Sequence, residues 1–357
     1  IERPLTLHLG LQSCISCKLS VIPGQTSEAS NHYRKMAESL LQPVGSLSPA
    51  EALKLAQQAP EILRKNPKAF SASPLSSLFS TPETADTWTI YENLMIACLQ
   101  TGDDEAANEC LERIVNRFGD SHDRVLALKG LVKEATASNN SELEKILEEY
   151  EALLQQNDAS IPIWKRKIAL LRSMGKLPEA ITALNSLLDV CPTDPEAWAE
   201  LADMYVTQGL YAQAIYALEE VLVLSPNAWN IHARLGEVSF MAATTASEGG
   251  SQKHYAEAVK RFCRSIELCD DYLRGYYGLK LVTDKLVQNT PKSKKDSEGF
   301  QLPDQATIEK LNEAATKKLG EIVRRNGAKD KLWQGYDARE IAAARELLDS
   351  SSARVVR

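Results

Sequence analysis

No run of eighteen or more apolar residues occurs in this 357-residue sequence, so it holds no helix of the length and hydrophobicity needed to cross a bilayer. Any association with a membrane is then expected through partners. A basic excess is also missing, since 41 Lys and Arg stand against 48 Asp and Glu for a formal charge of −7. The chain as a whole has no electrostatic pull toward nucleic acid phosphates. Cysteine is sparse and odd in number, at 14, 17, 98, 110, 191, 263 and 269, without the dense spacing of a disulfide scaffold, and a reducing compartment fits better. Cys14 and Cys17 form a lone CxxC with no second ligand pair nearby, so no metal site is expected. The histidines at 8, 32, 122, 232 and 254 never pair at a metal-ligand spacing, and Gly-rich phosphate loops, GxSxG and dinucleotide fingerprints are absent. Acidic pairs such as Asp103-Asp104 and Glu148-Glu149 read as solvated helix faces. No catalytic constellation remains, so the chain is expected to be neither an enzyme nor a cofactor carrier.

What the sequence does contain is a repeat. Trp164 and Trp198, Gly175 and Gly209, Ala180 and Ala214, Leu184 and Leu218, and Pro192 and Pro226 all stand 34 residues apart. Trp198, Leu201, Ala202 and Tyr205 fall at i, i+3, i+4 and i+7, one face of a helix. Gly209 stops that helix by taking the left-handed conformation of a C-terminal cap. A second helix carries Ala214, Ile215, Leu218, Val221 and Leu222 inward, with Ala214 small enough for close helix approach, and Pro226 lacks the N–H to continue it. Trp, then Gly, then Ala, then Pro at a period of 34 is the tetratricopeptide signature. The fold class is therefore all-α, a tetratricopeptide-repeat superhelix of stacked antiparallel helix hairpins, because neither helix buries its stripe alone.

Along the chain, residues 1–30 read as a tail. Residues 31–87 hold helices over His32–Leu41 and Ser48–Arg64, then a Ser/Pro-rich linker. The repeat array spans 88–286, opening with Trp88, Tyr91, Met95 and Cys98 on one face and a break at Gly102. A less regular hairpin occupies 122–157. In the unit after Pro226, about ten residues beyond the period of about 34 are inserted around AATTASEGGSQ and read as an exposed loop, and a further first helix carries Tyr277, Gly278 and Leu281. Residues 287–305 are polar and read as a flexible loop, 306–350 as capping helices, and the final SSARVVR as frayed.

First helices of such hairpins line a concave surface, which makes the cations on one of them the candidate partner contacts. Lys165, Arg166 and Lys167 are followed by Arg172, and Lys165 and Arg172 share a face. Asp203 lies in the corresponding groove of the next repeat, with Ala199 and Glu200. Some tetratricopeptide co-chaperones hold acidic peptide tails with a carboxylate clamp of Lys, Asn and Arg. Glu200 and Asp203 would repel such a ligand, which disfavours the alternative of a soluble chaperone adaptor. Trp164, Gly175, Ala180, Trp198, Ala202, Gly209, Ala214 and Pro226 are assigned to repeat packing.

The stretches WTIYENLMIACLQTGDDEAANECL, KRKIALLRSMGKLPEAITALN and DPEAWAELADMYVTQGLYAQAIYALEEVL, across roughly 86–285, resemble the subunit 2 family of the endoplasmic reticulum (ER) membrane protein complex. KRKIA before the Gly turn and WxxYExxMIAxL at the start are the more particular matches. The resemblance implies stacked tetratricopeptide hairpins on the cytosolic face of that membrane, peripheral, as a non-catalytic scaffold. Its partners would be other subunits, integral and soluble, of an assembly that inserts transmembrane and tail-anchored proteins. The start through residue 87, the segment 243–252 and the tail beyond 290 depart from the family pattern, so no partner contact is implied there.

Overall fold

The computed structural model describes residues 49–65, 85–246, 248–288, 302–328 and 335–355, and every regular element among them is an α-helix. The chain divides into two compact units, Ile1–Pro192 and Thr193–Arg357. The expected tail 1–30, the helix His32–Leu41, Cys14, Cys17, Ser48 and most of the linker and of the 287–305 loop lie outside the described residues.

The first unit begins with α1 (Pro49–Ala56) and α2 (Ala59–Lys65), followed by the hairpins α3 (Ala85–Thr101) and α4 (Asp104–Phe118), α5 (Asp123–Thr136) and α6 (Asn140–Gln156), and α7 (Ile161–Ser173) and α8 (Leu177–Val190). The single helix expected over 48–64 is two. Pro60 has no N–H to continue the ladder and disfavours helical geometry before it, and the chain tightens at Gln57-Gln58, where the Gln58 N–H reaches only Leu55 O at 3.0 Å. Helix α3 starts at Ala85, three residues ahead of Trp88. Tyr91, Met95 and Cys98 are fully buried, packed with Ala107, Cys110 and Ile114 of α4 and with Leu55 and Ile62 from α1 and α2. Helices α1 and α2 thus belong to the same core as the first hairpin.

The turn inside each regular hairpin follows one backbone chemistry. Gly175 and Gly209 take φ of +73° and +72°, and open space surrounds both Cα atoms, so the glycine is required by conformation rather than by packing. The Leu210 N–H reaches back to Tyr205 O at 2.9 Å and the Gly209 N–H to Val206 O at 3.0 Å. Lys176 and Gly175 repeat this onto Leu171 O and Arg172 O. These are Schellman closures that satisfy the last carbonyls of the first helix. At the far end, α10 (Tyr211–Leu224) stops before Pro226 because Ser225, preceding proline, leaves helical geometry at φ −137°, ψ 75°.

The second unit comprises α9 (Pro195–Thr207), α10, α11 (Trp229–Thr245), α12 (Glu248–Leu268), α13 (Leu273–Gln288), α14 (Gln305–Ala328) and α15 (Ala338–Val355). Asp194 caps α9, its carboxylate accepting from the Glu196 and Ala197 N–H groups at 2.9 and 3.2 Å. Ala202 and Ala214 are buried where α9 and α10 cross, with Leu218, Leu235 and Val238 around them.

The inserted residues do not form the expected exposed loop. They lengthen both helices of their hairpin: α11 runs 17 residues against 13 in α9, and α12 runs 21 against 14 in α10. Ala242 and Ala243 are buried, and Thr244 and Thr245 donate to carbonyls of the preceding turn, so the segment continues the helix. Helix α13 buries Tyr276, Leu279 and Val282, whereas Tyr277 and Leu281 are half-buried. Gly236 and Gly278 leave room for the Phe262 ring, against which an added Cβ at Gly278 would collide. Ile308, Ala315, Leu319 and Ile322 of α14 and Ile341 and Ala344 of α15 complete this core. Asn312 fixes the register of α14 on α13, donating to Thr283 Oγ1 at 2.9 Å and Asp284 Oδ1 at 2.7 Å. Helix α15 continues to Val355, through most of the segment expected to fray.

Candidate partner-binding face

Consecutive first helices within each unit are joined by a carboxylate on one and an arginine on the next, 31 or 32 residues later in three of the four pairs. Glu92 of α3 holds Arg124 of α5 in a fork, with N–O distances of 3.1 and 2.6 Å. Glu134 of α5 holds Arg166 of α7 in the same way. In the second unit Asp203 of α9 accepts from Arg234 of α11 at 2.8 and 3.2 Å, Arg234 also meets Glu237 at 2.9 Å, and Arg274 of α13 approaches Glu237 at 3.4 Å. The planar guanidinium suits this use, since it presents two parallel donors to one carboxylate.

The Glu134–Arg166 pair is the deepest of these. The two side chains are 9% and 4% exposed, and the Tyr150 hydroxyl from α6 donates to Glu134 Oε1 at 2.5 Å. Tyr150 reaches that position by running beneath α5 at Gly130, where any Cβ would collide with the phenol. Burial opposes the charge on Arg166, but Glu134 and Tyr150 outweigh it, and its pKa lies above the ordinary value. Burial, and then the Glu134 charge, raise the Tyr150 phenol, so the triad stays a neutral hydroxyl beside an ion pair. The hydrogen bonds that Arg124 donates to Glu92 hold its pKa above the ordinary value as well.

Arg166, expected to face a partner in the groove, is therefore turned into the protein. Residues on a helix advance about 100° each, and the basic run separates accordingly. Lys167 extends over the Trp164 ring at 5.5 Å and pairs with Glu151 of α6 at 3.1 Å. Lys165 and Arg172 are half-buried on α7. Asp203 is exposed, yet Arg234 offsets its charge, which weakens the repulsion expected of it toward an acidic ligand. Trp164 is half-buried and donates from Nε1 to Asp158 O at 2.8 Å. Trp198 meets Tyr216 edge-on at 6.0 Å. Ala180, Ala202 and Ala214 are each 1% exposed or less. Between α5 and α6 a groove of about 290 Å³ opens, lined by Leu126, Lys129, Gly130, Tyr150 and Leu153. Of the arginines in these pairs, Arg124, Arg234 and Arg274 went unrecognised in sequence and Arg166 was read as a partner contact, although an acid stands 32 residues before Arg at both 92/124 and 134/166.

Nothing in this arrangement concentrates reactive groups. Among the described residues, no cluster of His, Cys, Asp and Glu could hold a metal ion, and the five described cysteines are free thiols. Burial pushes Cys98 up to about 12 and Cys263 to about 11, so neither is a nucleophile at neutral pH.

A family description, the EMC2 TPR-like repeat domain, matches residues 111–254. The TPR repeat protein oca3 of Schizosaccharomyces pombe is 36% identical over 203 residues, 57% of this chain and 68% of that protein. ER membrane protein complex subunit 2-B of Xenopus laevis is 33% identical over 215 residues, 59% of this chain and 68% of its own length. The chain belongs to the ER membrane protein complex subunit 2 family. A more distant member, from Dictyostelium discoideum, is 25% identical over 269 residues, covering 72% of this chain and 77% of its own. The family's repeat domain, as matched here, runs from within α4 into α12 and so contains the Glu134–Tyr150–Arg166 triad and both clean repeats. Among the described residues no helix is long and apolar enough to cross a membrane.

Proposed function

We propose that this chain is a non-catalytic scaffold subunit of an ER membrane protein complex, held peripherally at the cytosolic face and bridging cytosolic parts of other subunits in an assembly that inserts transmembrane and tail-anchored proteins. Membership of the subunit 2 family carries the reading. The paired first helices support it: they make a stiff polar face on which Lys165 and Arg172 are the candidate partner contacts, beside an apolar groove between α5 and α6. Tetratricopeptide hairpins take up helical or extended segments on such faces, and a large apolar contact has to offset the ordering of the bound segment.

The test is to tag the chain in its native host, solubilise membranes in mild detergent and identify what co-purifies. A stable set of integral membrane subunits, whose deletion releases the chain from membranes, is the expected outcome; a wholly cytosolic chain bound to heat-shock chaperones overturns the reading in favour of an adaptor. Lys165→Glu with Arg172→Glu should leave the melting temperature within a few degrees, since changes at half-exposed sites cost little, and reduce recovery of the other subunits. Full recovery would remove those two residues from the interface.

A further inference from the structure

Val223 and Tyr216 are the two most exposed large apolar side chains among the described residues, at 71% and 58%. They stand seven apart on α10 and so occupy one face of it, with exposed Ala212 and Glu219 on the same face. Trp198 of α9 meets the Tyr216 ring edge-on and extends this apolar surface toward α9. Scattered exposed apolar residues need no explanation, but a stripe of them on a single helix marks a contact surface.

Helices α9 and α10 carry charge of one sign. From Thr193 to Ala233 the sequence has six carboxylates and neither Lys nor Arg. Asp203 meets Arg234 at 2.8 Å and Glu219 meets Arg261 of α12 at 3.2 Å, and Asp194, Glu196 and Glu200 also have interactions within the protein. Helices α9 and α10 themselves contribute only negative charge to their surface. An anionic lipid surface or an acidic peptide would be repelled. A second copy of this chain seated face to face would set like charges against each other, because a two-fold contact repeats the same patch on both sides.

From the exposed stripe and its anionic border we infer that the outer face of α10, centred on Tyr216 and Val223, is a docking surface for a basic amphipathic helix of a protein partner. Its apolar side chains would cover Tyr216, Val223 and the Trp198 edge, and its Lys or Arg residues would lie along Glu220 and the exposed side of Glu219, which Arg261 meets from α12. This surface is separate from the first-helix face on which the proposed scaffold role rests. Electrostatic attraction would accelerate the encounter, and the aromatic and aliphatic anchors would set the lifetime.

The probe is a fluorescent amphipathic helical peptide of leucine and lysine, titrated into the full chain and followed by anisotropy, beside a leucine–glutamate peptide of the same pattern. Saturable binding of the first and none of the second is expected. Tyr216→Ser combined with Val223→Ser should weaken binding by about tenfold or more while the circular dichroism melt stays unchanged, both side chains being exposed. Glu219→Gln with Glu220→Gln should weaken it at low salt and much less in molar salt, where charges are screened within about 3 Å. Equal binding by the serine double variant, or by the leucine–glutamate peptide, overturns the proposal. So does wild-type self-association in sedimentation that the serine variant abolishes, which would make a second copy the occupant.

Discussion

Arg166 is the residue at which packing and partner binding make opposite demands, and a double-mutant cycle with Glu134 separates them. Both side chains are nearly inaccessible, so Glu134→Gln leaves a guanidinium buried without its counter-charge. Breaking such a pair from one side costs about 3–5 kcal/mol. At roughly 2–4 °C per kcal/mol for a cooperative unit of about 150–250 residues, the first unit should lose about 6–20 °C of melting temperature. Arg166→Met should cost somewhat less, because the Tyr150 hydroxyl still donates to Glu134. Glu134→Leu with Arg166→Met removes both charges together, and replacement of a whole buried pair by apolar groups is often neutral. The double variant should then melt higher than either single one, with a coupling of at least about 2 kcal/mol. Thermal melts followed by circular dichroism read the cycle, and hydrogen exchange at α5 and α7 amides localises it. A loss below about 1 kcal/mol for Arg166→Met, additive with the Glu134 change, would mean a solvent-screened surface pair and would refute the buried triad.

Three further outcomes follow from the same geometry. Gly175→Ala and Gly209→Ala each force a Cβ into left-handed backbone and should cost about 1–2 kcal/mol, with the asparagine variants milder; equal stability of alanine and glycine variants in urea unfolding would contradict the Schellman closure. Ala202→Asp or Ala214→Asp places a carboxylate where α9 and α10 cross, and a loss of about 4 kcal/mol or more, read as lost helical ellipticity at 222 nm, is expected; an unchanged melt would refute the repeat register. Burial holds the His232 imidazole below its ordinary 6.5, Arg261 and Arg264 add to the shift, and the contact with Pro226 O opposes it. The unfolded chain therefore takes up the proton first as pH falls, so stability is complete above about 6.5 and declines as pH falls from there toward the lowered folded value. His232→Gln should reduce the slope of the melting midpoint between about pH 7 and about pH 5, leaving the slope from His254, which burial and Lys253 also lower.

The hairpins were legible in sequence because their determinants are local. Gly175 and Gly209 mark conformations few other residues adopt, Ala180 and Ala214 mark close helix approach, and proline marks where a helix must stop. Those signals recur at one offset, so each supports the other. The insertion in the fifth hairpin was misread because glycines and threonines, weak helix formers, suggested a loop, while the burial of Ala242 and Ala243 that holds the helix is tertiary. The break at Gln57-Gln58 had a local cause, Pro60, that was passed over. The direction of each cation on α7 was not legible at all. Side chains about 100° apart on a helix face solvent, groove or core by turns, and the presence of Glu134 and Tyr150 decides that Arg166 turns inward.

The interhelix pairs add a second periodicity that differs from the packing repeat. In the first unit the first helices begin 38 residues apart, at Ala85, Asp123 and Ile161, while the pairs stand 32 apart, so each arginine sits six positions earlier in its helix than the carboxylate it meets (38 − 32 = 6). In the second unit α9 and α11 begin 34 apart and Asp203 and Arg234 stand 31 apart, a difference of three. The pairs tie each of these first helices to the next by a directional contact. They also bear on the proposed scaffold role. A partner on the first-helix face of the first unit would find Glu92 already paired with Arg124 and Glu134 buried against Arg166, so its selectivity would have to come from shape and from the groove between α5 and α6, beside the proposed contacts Lys165 and Arg172. If that is how partners are chosen, charge reversal at Lys165 and Arg172 should alter which subunits assemble, whereas Glu134→Gln should act through folding and reduce recovery of all of them together.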